Sequence, residues 1–328
     1  MLSVVMEEFG GPEVLRVRQV EDPVPGPGQV LVEVAYASVT FVETQVRSGN
    51  GPFGRPSLPR VPGNGVGGRV LAVGPGADPA LTGTVVVTTT GGVGGYAELA
   101  LARADETVPV PPGLALEDAV ALLADGRTAL LLFKQAEIKP GERVLVEAAA
   151  GGVGSLLVQL AAGAGARVIG AARGANKAEL ITSLGAAFVD YSESDWLEQV
   201  GDSAGGGDLD VVFDGVGGVI GTDAAGALGS GGRISVYGMA SGSDAELDME
   251  KLGERSIRVL GLFSAPSPAE THALIGEALQ LAADGKLRPI VGQTFPLSEA
   301  AAAHAAIENR STVGKTLLVP DGRDGGAR

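Results

Sequence analysis

No cysteine occurs in the 328 residues of this chain. That removes disulfides, thiolate catalysis and cysteine-ligated zinc together. Only two histidines are present, His272 and His304, too few for a metal site built from imidazoles. Cations are scarce: 24 Lys and Arg stand against 39 Asp and Glu, for a net charge of −15. Such a surface cannot recover counterion-release energy from nucleic acid or an anionic membrane, so neither is expected as a partner. No apolar run reaches the ~18 residues that span a bilayer. The opening MLSVVMEEFG lacks the basic and long apolar regions of a signal peptide, and a cytoplasmic location is expected. What remains is 45% hydrophobic, long enough for two well-filled cores.

The most informative stretch is ERVLVEAAAGGVGSLLVQLAAGAGARVIGAA, residues 142–172. It predicts a strand over Arg143–Glu147, a loop nearly free of side chains over Ala148–Gly154, a helix over Ser155–Ala162 and a second strand over Arg167–Ala171. A pyrophosphate seated on the backbone N–H groups of a helix N-terminus needs such a loop, because a Cβ would hold it off. The spacing is A-x-G-x-x-G at Ala149, Gly151 and Gly154, between the strand and helix the motif requires. The alternative is a tight turn in an ordinary α/β unit. After the second strand, an enzyme that prefers NAD places an acid that binds the ribose 2′-OH. Here Gly170-Ala171-Ala172-Arg173 contains none and Lys177 follows, so NADPH is expected over NADH.

Ahead of this unit the chain reads as β-rich, with strands at Val30–Val34, Arg69–Val73 and Thr84–Thr89 set between Gly and Pro turns. Leu116–Phe133 carries apolar residues at helical spacing and predicts two helices broken near Asp125-Gly126. Beyond it, helix and strand alternate. Lys177–Leu184 is a helix stopped by Gly185 as its C′ residue, and strands fall at Phe188–Tyr191, Asp210–Asp214, Arg233–Gly238 and Arg258–Gly261. This alternation predicts a parallel, doubly wound sheet with a nucleotide at its carboxyl ends. Helices over Pro266–Ala283 and Ala300–Glu308, a strand over Lys315–Val319 and a disordered tail from Asp321 to Arg328 complete the expectation.

With these parts assembled, the chain resembles the medium-chain dehydrogenase/reductase superfamily, and within it the zinc-independent quinone oxidoreductase group that includes zeta-crystallin. The motifs are P-G-x-x-V-x-G at Pro62–Gly68, G-G-Y-A-E at Gly94–Glu98, G-x-T-A at Gly126–Ala129, A-A-A-G-G-V-G at Ala148–Gly154, and H-x-x-I-E…G-K-x-L-L from His304 to Leu318. The resemblance covers nearly the whole chain. It implies an α/β fold in which residues 1–122 and 266–328 form a GroES-like β-rich domain, and residues 123–265 an inserted Rossmann domain with a doubly wound parallel sheet. It further implies NADPH as cofactor and a homodimer joined through an edge strand. By the same resemblance, Thr128 sits near the nicotinamide ribose and Gly151, Gly152 and Val153 near the pyrophosphate. Arg173, Lys177 and Tyr191 would surround the adenosine phosphate. Gly215, Val216, Gly238, Phe263 and Lys315 would line the rest of the cofactor.

The departures fall on the substrate side. The group commonly carries N-x-x-[DE]-T-Y-x-R-x-G-x-Y where this chain has T-F-V-E-T-Q-V-R-S-G-N-G, so Asn is Thr40 and the two tyrosines are Gln45 and Gly51. An often acidic position is Gly65, and a usually apolar one is Arg127. Metal-dependent members use a Cys and a G-H-E triplet; here Gly63-Asn64-Gly65 stands at the triplet, and no zinc is expected.

Within that frame a quinone or an α,β-unsaturated carbonyl is the expected small-molecule substrate, and charge builds on its oxygen during reduction. Thr40, Gln45 and Arg127 are the candidate catalytic donors. Each has an ordinary alternative: Thr40 as a helix cap, Gln45 as a solvated helix residue, Arg127 as an ion-pair partner of Asp125 or Glu43. His304 and Tyr96 are expected to be structural and His272 to lie on the surface. The competing function is an NADPH-binding protein of this fold with a non-redox role, such as isomerisation or cyclisation, or a structural one.

Overall fold

The computed structural model describes residues 1–321 except 53, 264 and 265. The part of the expected disordered tail beyond Asp321 lies outside the described residues. By its contacts the chain divides into two compact units, Met1–Ala124 with Pro268–Arg328, and Asp125–Ser267.

The first unit opens with an antiparallel pair, β1 (Leu2–Met6) and β2 (Leu15–Gln19), which the sequence reading did not include. The long β3 (Gln29–Val39) follows, and then α1 (Phe41–Ser48). Thr40 caps α1 and Gly49, at φ +84°, ends it in the left-handed conformation glycine adopts freely. β4 (Gly65–Val73), β5 (Val85–Thr89), β6 (Leu99–Arg103) and β7 (Val108–Pro109) continue the sheet. The helix α2 (Leu116–Ala136) is unbroken. The expected break at Asp125-Gly126 is therefore corrected. An interior glycine costs only ~1 kcal/mol against alanine, and the buried Ala119–Leu123 and Ala129–Leu130 on either side outweigh it.

The second unit runs β8 (Arg143–Glu147), α3 (Gly152–Gly163), β9 (Arg167–Ala172), α4 (Ala178–Ser183), β10 (Ala187–Asp190), α5 (Trp196–Ser203), β11 (Leu209–Asp214), α6 (Gly218–Gly226), β12 (Leu228–Val236), α7 (Met249–Glu254) and β13 (Arg258–Gly261). Its six strands are all parallel, in the order β10-β9-β8-β11-β12-β13, which reverses between β8 and β11. That reversal is the place where open α/β sheets bind nucleotides. Near-continuous apolar strands such as VLV in β8 and VVF in β11 suit a sheet covered on both faces. Gly185, at φ +95°, stops α4 as expected: its N–H bonds Thr182 O and that of Ala186 bonds Ile181 O.

The chain then returns to the first unit with α8 (Pro268–Ala283), β14 (Val291–Pro296), α9 (Ala300–Glu308) and β15 (Lys315–Val319). The mixed sheet there is ordered β14-β15-β3-β4-β5-β7, with β6 on β3. Val4, Met6, Val34, Val66, Tyr96, Ala303 and Leu318 form its larger core, so the two chain ends fold together.

Candidate functional site

In the second unit, Ala148 leaves β8 at φ +48°, a conformation that costs an alanine free energy, and turns the chain into the glycine loop. The loop is fixed by Gly151 N–H to Ala148 O at 2.8 Å and Ala149 N–H to Ala171 O at 3.0 Å. Gly151 caps α3, whose first internal bond is Ser155 N–H to Gly151 O at 2.9 Å. Helix geometry therefore leaves the N–H groups of Gly152, Val153 and Gly154 without intrahelical acceptors, a cluster suited to an anion. The glycines have separate reasons. A Cβ on Gly154 would lie 2.9 Å from the Ala148 carbonyl carbon, and one on Gly152 would meet the buried Asp125 carboxyl, 2.9 Å from its Cγ. At Gly151 the new Cβ would meet Ala148 O at 3.2 Å, an easier contact than at the other two. The loop thus fits a pyrophosphate: Gly154 and Gly152 allow the approach of strand and α2, and Gly151 keeps the mouth open.

Arg173 is exposed just past β9, and Lys177 ends a short 3₁₀ turn, Ala175–Lys177. Asp190, at the end of β10, accepts Gly174 N–H at 3.0 Å. Partial burial pushes the Asp190 carboxyl up, but bonds from Ser192 and Gly174 and the charge of Lys177 hold it below the usual range. Asp190 thereby anchors the turn that carries both cations, a role the sequence reading missed because it sought an acid only after β9. Tyr191 is buried beside it.

On the other side of the strand reversal, Asp214 Oδ1 accepts the N–H groups of Val216 and Gly217 at 3.0 and 2.7 Å and shapes the loop after β11. A Cβ on Gly238 would lie 2.6 Å from Gly215 O, so the loops after β11 and β12 touch through glycines. Phe263 is 71% exposed. Thr128 and Arg127 are half-buried on α2; burial lowers the Arg127 guanidinium from its ordinary value, and the charge of Asp125 opposes this.

The remaining candidates lie in the first unit. Thr40 is the helix cap, and its N–H and hydroxyl both donate to Glu43 Oε2, at 2.7 and 3.2 Å. Its hydroxyl proton is therefore directed into the protein. Gln45 is half-buried on α1. Glu43 is the centre of a buried network: Asn64 N–H donates to it at 2.8 Å and Tyr96 O–H at 3.1 Å, and Tyr96 is 3.0 Å from His304 Nε2. Burial raises the Glu43 carboxyl, against these bonds and the charge of Lys315. Burial, with Arg47 nearby, lowers His304 to about 3. His304 is thus a neutral core residue, edge-on to Tyr96, and His272 is exposed, both as expected. Lys315 is buried on β15. Among the described residues no group of three or more acidic or histidine side chains is placed to hold a metal ion. No helix among them is long and apolar enough to cross a membrane.

The family model for the alcohol dehydrogenase GroES-like domain matches residues 26–112, and that for zinc-binding dehydrogenases matches residues 152–281. The chain belongs to the medium-chain dehydrogenase/reductase family, in its quinone oxidoreductase group, and is an oxidoreductase of that class. It is 34% identical to a quinone oxidoreductase of Pseudomonas aeruginosa, covering 95% of this chain and 97% of that protein. It is equally 34% identical to a 2-haloacrylate reductase of a Burkholderia species, over 98% of this chain and 99% of the relative. The crystal structure of Escherichia coli quinone oxidoreductase complexed with NADPH superposes with a TM-score of 0.88 at 32% identity, covering 98% and 100% of the two chains.

Proposed function

We propose that this chain binds NADPH and reduces a quinone or an α,β-unsaturated carbonyl without a metal. The observation that carries the reading is the anion-ready start of α3, placed where the strand order reverses and followed at β9 by Arg173 and Lys177 instead of an acid. NADPH complexed with the Escherichia coli relative supports the cofactor, and the haloacrylate reductase supports an activated double bond as one substrate class.

Gly152, Val153 and Gly154 would hold the pyrophosphate through backbone N–H groups. Arg173 and Lys177 would hold the 2′-phosphate, with Asp190 fixing their turn. Thr128, Gly215, Val216, Gly238, Phe263, Tyr191 and Lys315 complete the proposed cofactor set. The cofactor, when bound, supplies a hydride; the protein supplies position and charge stabilisation. Arg127 and the Gln45 amide are the donors available for the charge that develops on substrate oxygen. Thr40 serves first by holding α1, because its hydroxyl is bonded to Glu43. The lack of Cys and of a histidine cluster supports metal-free chemistry. We also propose a cytoplasmic homodimer paired through β13, the edge strand of the parallel sheet.

The test is a titration with NADPH and NADH followed by nicotinamide fluorescence, then a scan for oxidation by quinones and enones. Preferential NADPH binding with turnover on either acceptor class is expected. Tight binding with no acceptor oxidising the cofactor would favour the non-redox reading, which the inward-turned Thr40 hydroxyl also supports.

A further inference from the structure

Two fully buried carboxylates stand side by side where the sheet of the second unit reverses its order. Glu147 closes β8 and Asp214 closes β11. The register pairs Val211, Val212 and Phe213 with Val144, Leu145 and Val146. The next residues, Asp214 and Glu147, are therefore neighbours on one face, with backbones roughly 4.8 Å apart. Both are 0% exposed. Both accept the same Val216 N–H, Glu147 Oε2 at 3.2 Å and Asp214 Oδ1 at 3.0 Å. Glu147 Oε1 and Asp214 Oδ2 have no hydrogen-bond partner.

Among the described residues, the groups that act on Glu147 are neutral or acidic. Tyr237, after β12, donates its hydroxyl to Glu147 O at 2.9 Å, and Tyr191 lies near enough to Tyr237 to perturb it. From α6, Gly221 packs so closely that a Cβ would be 2.5 Å from Asp214 Oδ2. No cation is among the groups that shift Glu147: burial first, then the charge and hydrogen bonding of Asp214, push its carboxyl well above the usual range. A buried carboxyl beside a second carboxylate, with no cation acting on it, favours its protonated form.

We propose that Glu147 and Asp214 hold one proton between them, and that this acid–carboxylate pair positions the 215–218 loop against the phosphate loop for NADPH binding. Each carboxyl keeps one oxygen without a hydrogen-bond partner, Glu147 Oε1 and Asp214 Oδ2, free to carry or accept that proton. Glu147 leads directly into Ala148 and the glycine loop, while Asp214 holds Val216 and Gly217, so the bridge ties the two loops on either side of the reversal. Both are positioning residues, acting through backbone groups. The positioning half of the inference rests on the NADPH reading; the shared proton does not.

Glu147→Gln keeps the size and offers an amide N–H to the Asp214 carboxyl, but cannot ionise. Three measurements on the full chain test the pair. In the cofactor-free protein at neutral pH, wild type minus E147Q should show the infrared carbonyl stretch of a protonated carboxylic acid. Because the folded state keeps a proton that the unfolded chain releases near 4.5, wild-type stability falls as pH rises from there to the pH at which the pair ionises. Relative to E147Q, its folded-to-unfolded ratio in urea should drop by up to about tenfold per pH unit across that window. Third, NADPH affinity of the wild type should fall at alkaline pH while that of E147Q falls less. Glu147→Ala should weaken NADPH at least about tenfold, with Gln rescuing it. Absence of the acid band, or parallel pH–stability curves, would overturn the shared proton. An Ala variant binding as tightly as Gln would overturn the positioning role. If wild type binds no NADPH, the positioning claim falls with the functional reading, and the two cofactor-free measurements still decide the proton.

Discussion

Replacing Gly154 by alanine tests whether the glycine loop works through packing. The new Cβ would lie 2.9 Å from the Ala148 carbonyl carbon and 3.0 Å from Ala149 Cα, with the Ala148 oxygen closer still. These are backbone atoms, held by the bonds from Gly151 to Ala148 and from Ala149 to Ala171, so no side chain can swing away. Reaching an ordinary carbon separation of ~3.5 Å requires the start of α3 to retreat by roughly 0.6 Å or more. Overpacking of this kind costs about 1–3 kcal/mol, offset by up to ~1 kcal/mol from the better helix propensity of alanine. Urea unfolding should therefore show a net loss of roughly 0–2 kcal/mol with the full offset and up to about 3 kcal/mol without it. The same retreat displaces the N–H groups of Gly152 and Val153. Losing one charge-assisted bond of ~1.5–3 kcal/mol should weaken NADPH about tenfold to a hundredfold by fluorescence titration. Gly163→Ala, in the same helix with no atom within 4 Å of its Cβ, is the control and should leave binding unchanged. If G154A binds and unfolds like the wild type, the packing account of this loop is wrong.

Removing both cations, Arg173→Ala with Lys177→Ala, should weaken NADPH by roughly tenfold or more while barely changing NADH, at ~1.5–3 kcal/mol for a bond to a charged group; equal loss for both cofactors would refute their assignment to the 2′-phosphate. His304 titrates at about 3 in the folded chain against 6.5 in its ordinary state, so the unfolded chain takes up a proton first. Stability is fully present above 6.5 and is lost at up to about 1.4 kcal/mol per pH unit as pH falls toward 3. His304→Gln should flatten that acid limb in urea unfolding, and an unchanged limb would place its origin elsewhere. Gln45→Tyr should raise kcat/KM for simple quinones if the polar residue narrows the substrate range; an unchanged or lower value counts against that idea. Arg127→Leu, which removes a half-buried donor, should lower kcat for any acceptor by about tenfold or more, whereas a change confined to stability would make Arg127 structural.

Local pattern was enough for much of this molecule. Arg143–Glu147, Arg258–Gly261, Ala300–Glu308 and Lys315–Val319 have the bounds expected from the sequence. A parallel sheet forces continuous apolar strands, and the intervening helices must have an apolar face, so the alternation was written in the chain. β1, β2 and β14 escaped because short strands become visible only through their partners. Leu2–Met6 pairs with Leu15–Gln19 across a turn, and Val291–Pro296 carries a Gly and a Pro that read as loop until β15 pairs with it. The break at Asp125-Gly126 was misjudged for the converse reason: propensity speaks of one residue, burial of a whole helix.

The sequence by itself determined the class of the protein, since a βαβ unit without Cβ atoms at three loop positions is a statement about backbone approach that one segment makes alone. It also determined the absence of cysteine chemistry. Tertiary structure alone decided which polar groups share a dry site. Tyr96 became bonded to Glu43 from 53 residues away, His304 met Tyr96 from 208 residues away, and Glu147 came to lie beside Asp214 through a register that pairs Val144 with Val211. Protonation depends on the charges and solvent within a few ångströms, and those neighbours are chosen by the fold, not by the order of the chain.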